Sequence, residues 1–154
     1  MSRAFVRETD VEALEELPDR LISLYPNDVT AEGMKQLESM LETAREAHAA
    51  ALQAHDRPAL AVASRDLRYW SARRASARVI PNPVDTTEVQ FGSTVSIRRS
   101  DGREQIFRIV GEDEADPAHG TISHASPLAR ALMGKGVGDL ARLGTTEIEI
   151  RAIR

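Results

Sequence analysis

Four acidic side chains in one short stretch are the residues of this chain whose types most directly suggest metal chemistry: Glu112, Asp113, Glu114 and Asp116. Carboxylate oxygens are the ligands that Ca²⁺ and Mg²⁺ prefer. A calcium loop, however, needs acids at alternate positions, then a glycine, then a more distant glutamate, and this stretch lacks that spacing. We therefore interpret the stretch as a solvated loop.

The other reactive residue types are also spaced unlike catalytic or ligand-binding motifs. The four histidines, His48, His55, His119 and His124, do not form the H-E-x-x-H pattern of a zinc site. The glycines at 134, 136 and 138 do not match a phosphate-binding loop. The chain has no cysteine, which excludes disulfides and thiol nucleophiles. We expect no catalytic residues, no bound metal, no cofactor and no enzymatic activity.

Charge and hydropathy exclude further classes of protein. A net charge of −4 over 154 residues argues against non-specific nucleic-acid binding, which needs a concentrated basic surface. No apolar run approaches the roughly 20 residues that cross a bilayer, so we expect no membrane partner and a cytoplasmic location. The charge is uneven, since residues 1–29 are acidic and residues 57–78 are basic. We interpret the basic stretch as a solvated helix face.

Residues 30–80 have the pattern of an antiparallel helical hairpin. Thr30 is a suitable N-cap for a first helix, and Pro58 can open a second after a break at residues 55–58. Residues 1–29 are expected to be an acidic lead, either a short docked helix or, as we favour, a partly disordered segment. The coiled-coil seam recurs at spacings of three and four: Met34, Leu37, Leu41, Ala44, His48 and Ala51, then Leu60, Ala63, Leu67, Trp70, Arg74 and Ala77.

Residues 84–154 have the pattern of a small sheet domain. Asp101 and Gly102 favour a tight turn between two strands, and Pro127 begins a short helix capped by Ser126. The strands are expected at residues 94–98, 104–110 and 147–152. The predicted fold class is α+β, with an N-terminal antiparallel helical hairpin followed by a mainly antiparallel sheet domain carrying one short helix.

Six motifs, taken as a set, resemble the Gre family of bacterial transcript-cleavage factors: V-T-A-E-G, R-D-L-R-Y-W, F-G-S-T-V, F-R-I-V-G-E-D-E-A-D, I-S-H-A-S-P-L-A-R-A-L-M-G-K and G-V-G-D. The resemblance covers about residues 28–154. It implies a helical hairpin followed by an FKBP-like domain that docks at the rim of the secondary channel of bacterial RNA polymerase. The hairpin would insert toward the active site. We expect a monomer that contacts no nucleic acid sequence-specifically.

The resemblance also implies a polymerase-docking site at the start of the short helix. Family members commonly use an acidic residue before the Ser-Pro pair for docking. Ser126 and Pro127 match that pair, but Ala125 stands at the acidic position. Arg130 completes this candidate docking site.

The hairpin tip is where the chain departs most from the family. Cleavage-stimulating members carry two acids there, in a D-x-x-E-N pattern, because a second Mg²⁺ in the polymerase needs oxygen ligands. The tip of this chain is His55, Asp56 and Arg57, and Ala59 stands where the second acid would be. The hypothesis is a polymerase-binding regulator that stimulates RNA cleavage weakly or not at all.

Three alternatives are weighed against this hypothesis. One is a rim-binding interaction module, like the short-hairpin regulator of nucleoside diphosphate kinase. Another is a genuine cleavage-stimulating elongation factor. A third, prolyl isomerase, follows from the FKBP-like fold but needs an aromatic-walled pocket. The domain offers only Phe91 and Phe107 for such a pocket, and both lie in strand patterns that indicate core positions.

Overall fold

A computed structural model describes residues 16–154, which divide into two compact units. The helical unit contains residues 16–24 and Leu37–Ser76, and the sheet unit contains Tyr25–Gln36 and Ala77–Arg154. Over residues 16–154, no helix is both long enough and apolar enough to pass through a bilayer. The elements in chain order are β1 (Asp28–Val29), α1 (Ala31–Gln53), α2 (Arg57–Ser76), β2 (Arg78–Val79), β3 (Thr94–Arg99), β4 (Glu104–Val110), a 3₁₀ turn (Pro117–His119), β5 (Thr121–Ser123), α3 (Pro127–Leu132), β6 (Leu140–Leu143) and β7 (Thr146–Ile153).

Helices α1 and α2 form the predicted antiparallel hairpin. Glu38, near the start of α1, forms an ion pair of 3.0 Å with Arg74, near the end of α2, so the helices run in opposite directions. The buried seam residues of the helical unit are Leu37, Leu41, Ala44, Ala51, Ala63 and Trp70. Burying a leucine side chain stabilises the fold by about 1.5–3 kcal/mol and burying an alanine by much less, so packing in the seam is strongest away from the turn.

The first helix starts where the sequence predicts. The Thr30 hydroxyl accepts a hydrogen bond from the Gly33 backbone N–H at 3.0 Å, which is the geometry of an N-cap. The Thr30 carbonyl then accepts the first intrahelical bond from the Met34 N–H at 3.0 Å. Thr30 is almost completely buried, so this cap is shielded from solvent.

A short parallel ribbon closes the base of the hairpin. Strand β1 pairs with β2, with Asp28 opposite Arg78 and Val29 opposite Val79. The Arg78 guanidinium also lies 2.8 Å from the Asp28 carboxylate. The ribbon therefore fixes the point where the chain enters α1 next to the point where it leaves α2.

The second sheet has five strands in the order β5-β4-β3-β7-β6. Three of its pairings are antiparallel, and β4 pairs with β5 in parallel. The sheet is therefore mainly antiparallel, as predicted, with one parallel pairing at the β5 edge. Gly102, with φ of 86°, occupies the tight turn between β3 and β4 as predicted.

The core of the sheet unit lies between the five-stranded sheet and α3. Ala129 and Leu132 of α3 are fully buried against the inward face of the strands. The predicted N-cap of α3 is confirmed, because the Ser126 hydroxyl accepts a hydrogen bond from the Ala129 N–H at 3.2 Å. The strand residues of this core are Val95, Ile97, Ile109, Ile122, Ala141, Ile148, Ile150 and Ile153.

The described part of the acidic lead does not form the short docked helix that was one of the two alternatives for residues 1–29. Residues 1–15 lie outside the described part of the chain, and residues 16–27 form no helix. Leu21 and Leu24 are 96% and 103% exposed, so these two leucines do not line a buried apolar helix face. Pro18 and Pro26 remove backbone donors and restrict the preceding residues, which accounts for the missing helix.

Candidate functional site

The predicted tip residues lie together: His55 and Asp56 are in the turn between α1 and α2, Arg57 is the first residue of α2, and all three are exposed. His55 adopts a positive φ of 52°, which lets the chain reverse within very few residues. The Asp56 carboxylate accepts a hydrogen bond from the Ala59 N–H at 3.1 Å, so Asp56 is the N-cap of α2. One oxygen of the single tip acid is therefore engaged by the helix itself.

The structure offers no acidic partner for Asp56 at the tip. Ala59 stands at the position of a second acid, and its backbone N–H is the donor in the cap. Across the described residues, 16–154, there is no group of three or more His, Cys, Asp or Glu side chains arranged to hold a metal ion. The tip therefore presents one carboxylate, that of Asp56, which already accepts a hydrogen bond in the α2 cap and lies next in sequence to the positively charged Arg57.

The four candidate docking residues occupy one loop and the first turns of α3. The Ser123 hydroxyl accepts a hydrogen bond from the Ala125 N–H at 3.0 Å, which fixes the loop ahead of the Ser126 cap. Pro127 is the exposed first residue of α3. Arg130, also exposed, donates to the Tyr25 hydroxyl at 3.1 Å, with its guanidinium 5.7 Å from the centre of the tyrosine ring.

Glu114 has a structural role that the sequence reasoning missed. Its carboxylate accepts hydrogen bonds from the Thr30 backbone N–H at 3.0 Å and from the Thr30 hydroxyl. A Cβ atom at Gly33 would lie only 1.8 Å from one oxygen of Glu114, so glycine at that position makes room for the carboxylate. Glu114 therefore does not belong to a solvated loop, because it binds the N-terminus of α1, where a negative charge is favourable.

A second acid at the start of α1 is Glu32, which is exposed. The pKa of Glu32 is lowered, first because its carboxylate accepts a hydrogen bond from its own backbone N–H. The nearby positive charge of Arg108, whose guanidinium lies 3.8 Å from the Glu32 carboxylate, lowers it further. The start of α1 thus combines a half-buried acid, Glu114, with an exposed one.

The basic stretch of α2 is more highly organised than the solvated face we expected. Arg68 donates to the Asp19 carboxylate at 2.6 Å and to the Leu17 carbonyl at 3.4 Å. Arg73 is only 2% exposed. We name residues 16–24, which follow this face of α2, the strap.

A second arginine, Arg20 of the strap itself, also binds the strap to α2. The Arg20 guanidinium lies 3.8 Å from the centre of the Tyr69 ring and 5.3 Å from that of Trp70. The same guanidinium forms an ion pair of 3.4 Å with Asp66. Neighbouring strap residues of opposite charge, Asp19 and Arg20, are thus bound by neighbouring groups of α2. No local sequence signal predicts these contacts, because the partners are nearly 50 positions apart.

An apolar groove lies along the hairpin, on a surface formed by both helices. Its volume is about 350 Å³. Alanines at positions 44, 47, 59 and 63 leave space between the bulkier side chains of this surface. Its lining residues are Met40, Thr43, Ala44, Ala47, Ala59, Val62, Ala63, Asp66 and Trp70.

Comparison with known proteins finds similarity that includes the sheet unit. Residues 84–153 match the family described as "Transcription elongation factor, GreA/GreB, C-term". The chain is 44% identical over 85 residues to "Transcription elongation factor GreB" of Neisseria meningitidis serogroup A, covering 54% of this chain and 52% of that protein. It is 41% identical over 90 residues to "Transcription elongation factor GreA" of Ralstonia nicotianae, covering 54% and 57%. The chain thus spans about half the length of the curated relatives it matches.

A solved structure is similar over more of the chain but more distantly. It is that of the "GreA factor homolog 1 (Gfh1) protein of Thermus thermophilus", with 22% identity and a TM-score of 0.41. The similarity covers 84% of this chain and 99% of that one.

Proposed function

Because residues 84–153 match the GreA/GreB family model, we propose that this chain is a transcription regulator that binds bacterial RNA polymerase. It docks at the rim of the secondary channel and extends the α1–α2 hairpin toward the active site, where it modulates initiation or elongation. It stimulates transcript cleavage weakly or not at all. The protein acts as a monomer in the cytoplasm and is not itself an enzyme.

The observation that carries the weak-cleavage part of the proposal is the capping role of Asp56. A second Mg²⁺ in the polymerase would need free carboxylate oxygens from the inserted tip. Asp56 has one oxygen in the cap, at 3.1 Å from the Ala59 nitrogen, and no second acid accompanies it at the tip. Arg57 adds a positive charge, which repels a cation. The tip is thus suited to occupying space near the active site rather than recruiting a metal.

The exposed loop at the start of α3 is the proposed docking contact. Pro127 and Arg130 are exposed, and the Ser126 hydroxyl beside them caps α3. Because Ala125 replaces the acid that family members commonly carry, docking should depend less on charge at this point. Arg130 supplies the positive charge of the contact.

A transcript-cleavage assay tests the proposal directly. The full chain is added to core RNA polymerase and to stalled elongation complexes, and binding and RNA 3′-end cleavage are both measured. We expect binding with little cleavage above the polymerase alone. Vigorous cleavage that Asp56→Asn abolishes would refute the weak-cleavage proposal, and no binding to polymerase would refute the function as a whole.

A gain-of-function variant sharpens this test. Ala59→Glu supplies the absent second acid at the tip and should raise cleavage if the hairpin reaches the active site. Ala54→Glu adds the same charge on the other side of the turn and serves as the matched control. Crosslinks from position 56 then separate insertion from rim binding, because a module bound only at the rim would give no crosslinks near the active site.

A further inference from the structure

The outer face of α2 carries an arginine and an aromatic residue that both bind the strap. We name Arg68 and Tyr69 the arginine–tyrosine face. Arg68 uses two donors on two groups of an extended segment, the Asp19 carboxylate at 2.6 Å and the Leu17 carbonyl at 3.4 Å. A planar guanidinium with several donors is suited to reading a carboxylate and a backbone carbonyl together. The strap thus shows one chemistry that Arg68 accepts: a carboxylate and a backbone carbonyl of one extended segment.

The strap is bound at this face by contacts that exchange easily. The side chains of the Arg68–Asp19 pair are 50% and 72% exposed, and exposed ion pairs are weak and screened by salt. The strap forms no helix and no strand in its described residues. Leu21 and Leu24 point into solvent, so apolar burial of these two residues does not hold the strap in place. Another acidic segment could therefore compete for the same face.

We propose that the arginine–tyrosine face is a docking surface for an extended acidic segment of a protein partner, and that the strap occupies this face until the partner displaces it. This inference rests on the proposed function, which makes RNA polymerase the partner. Binding then has to overcome the cis contact, so releasing the strap increases the observed affinity. The strap acts as a competitor of the same charge type as the partner segment.

The first experiment measures strap release without any partner. Trp70 is the sole tryptophan of the chain, and Arg20 of the strap lies over its ring. The double variant Asp19→Ala/Arg20→Ala removes the side-chain contacts of Asp19 and Arg20 in the full chain and leaves the bond from Arg68 to the Leu17 carbonyl. We expect its Trp70 emission to differ from that of the wild type at 50 mM NaCl, and wild-type emission to approach it at 1 M NaCl because salt screens the ion pairs. Identical emission under all these conditions would overturn the exchangeable strap.

The second experiment measures binding to core RNA polymerase. Removal of one exposed ion pair, one half-buried ion pair and the cation–π contacts of Arg20 with two rings should make the double variant bind about three- to tenfold tighter than the wild type. The control Glu42→Ala/Arg45→Ala removes one acid and one base from an exposed pair in α1 and should leave the affinity unchanged. Far-UV circular dichroism checks that each variant retains its helices.

A third variant tests whether the face itself contacts the partner. Arg68→Ala, introduced into the strap-released double variant, should lose the gain in affinity, whereas Arg68→Lys should retain part of it. Equal binding by the wild type and the double variant, or no effect of Arg68→Ala, would overturn the inference and leave the proposed function intact. If the wild type binds no polymerase at all, the proposed function fails and this inference fails with it. Arg68-dependent binding of single-stranded RNA in place of polymerase would overturn the choice of a protein partner.

Discussion

The contact between Glu114 and the start of α1 predicts that Gly33→Ala destabilises the wild-type protein but stabilises a variant that lacks the Glu114 carboxylate. Gly33 lies in the first turn of α1, where alanine is normally the better helix former. In this fold, a Cβ at position 33 would lie 1.8 Å from a Glu114 oxygen, so Gly33→Ala must push the carboxylate away. The side chain of Glu114 is flexible, and the cost is therefore the loss of its bonds to the Thr30 N–H and hydroxyl rather than backbone strain.

The expected magnitude follows from these two hydrogen bonds. Hydrogen bonds to a charged group contribute about 1.5–3 kcal/mol each, so losing two at the low end costs about 3 kcal/mol. Replacing glycine by alanine within a helix returns about 1 kcal/mol. Gly33→Ala should therefore destabilise the sheet unit by about 2 kcal/mol. In a Glu114→Ala background no carboxylate is displaced, and the same substitution should stabilise by about 1 kcal/mol.

The assay is a double-mutant cycle on the wild type, Gly33→Ala, Glu114→Ala and the combined variant. Native-state hydrogen exchange at the buried Ile148 and Ile150 amides reports the stability of the sheet unit, which a whole-chain melt would mix with that of the helical unit. The reasoning is refuted if Gly33→Ala has the same sign and size of effect in both backgrounds. That result would mean that the Glu114 carboxylate does not occupy the space beside Gly33.

Three further predictions test the caps and the exposed acid. Asp56→Ala should destabilise the helical unit by about 1 kcal/mol through loss of the α2 cap, measured by urea denaturation monitored at Trp70, and an unchanged midpoint would remove the capping role. Ser126→Ala should cost the sheet unit about 1 kcal/mol for the same reason, with Ser126→Asp as a control that retains an acceptor. Because the pKa of Glu32 is lowered in the folded chain, its contribution to stability is present above its ordinary value near 4.5 and is lost as pH falls through the lowered value. An NMR titration of Glu32 that gives an ordinary or raised pKa would contradict that sign.

The helices and the sheet unit could largely be predicted from local patterns. Alternating spacings of three and four identified α1 and α2, and Thr30 and Ser126 marked helix starts because caps are specified by residues near in sequence. The Asp101-Gly102 dipeptide predicted the tight turn between β3 and β4. In each of these cases, the residues that determine the structure lie within a few positions of one another.

The contacts that sequence reasoning missed join distant residues. Strands β1 and β2 have two residues each, too few to show an alternating pattern, and they pair across the whole hairpin. The bond from Glu114 to Thr30 spans 84 positions. The glycine at position 33, in the first turn of α1, is a local sign that another group lies close to the helix there, and that group is the Glu114 carboxylate. The tip and docking residues were each predicted to lie together, and the structure brings each group together, but their contacts with a partner remain predictions.

The parallel pairing of β1 and β2 has a consequence for how hairpins of this kind could diversify. Because Asp28 lies opposite Arg78, the chain enters α1 and leaves α2 beside the same two-stranded ribbon. Whole heptads could be inserted or deleted between the two strands without moving either end, provided that both helices change together. The length of the two helices is thus free to vary while the β1–β2 pairing stays the same.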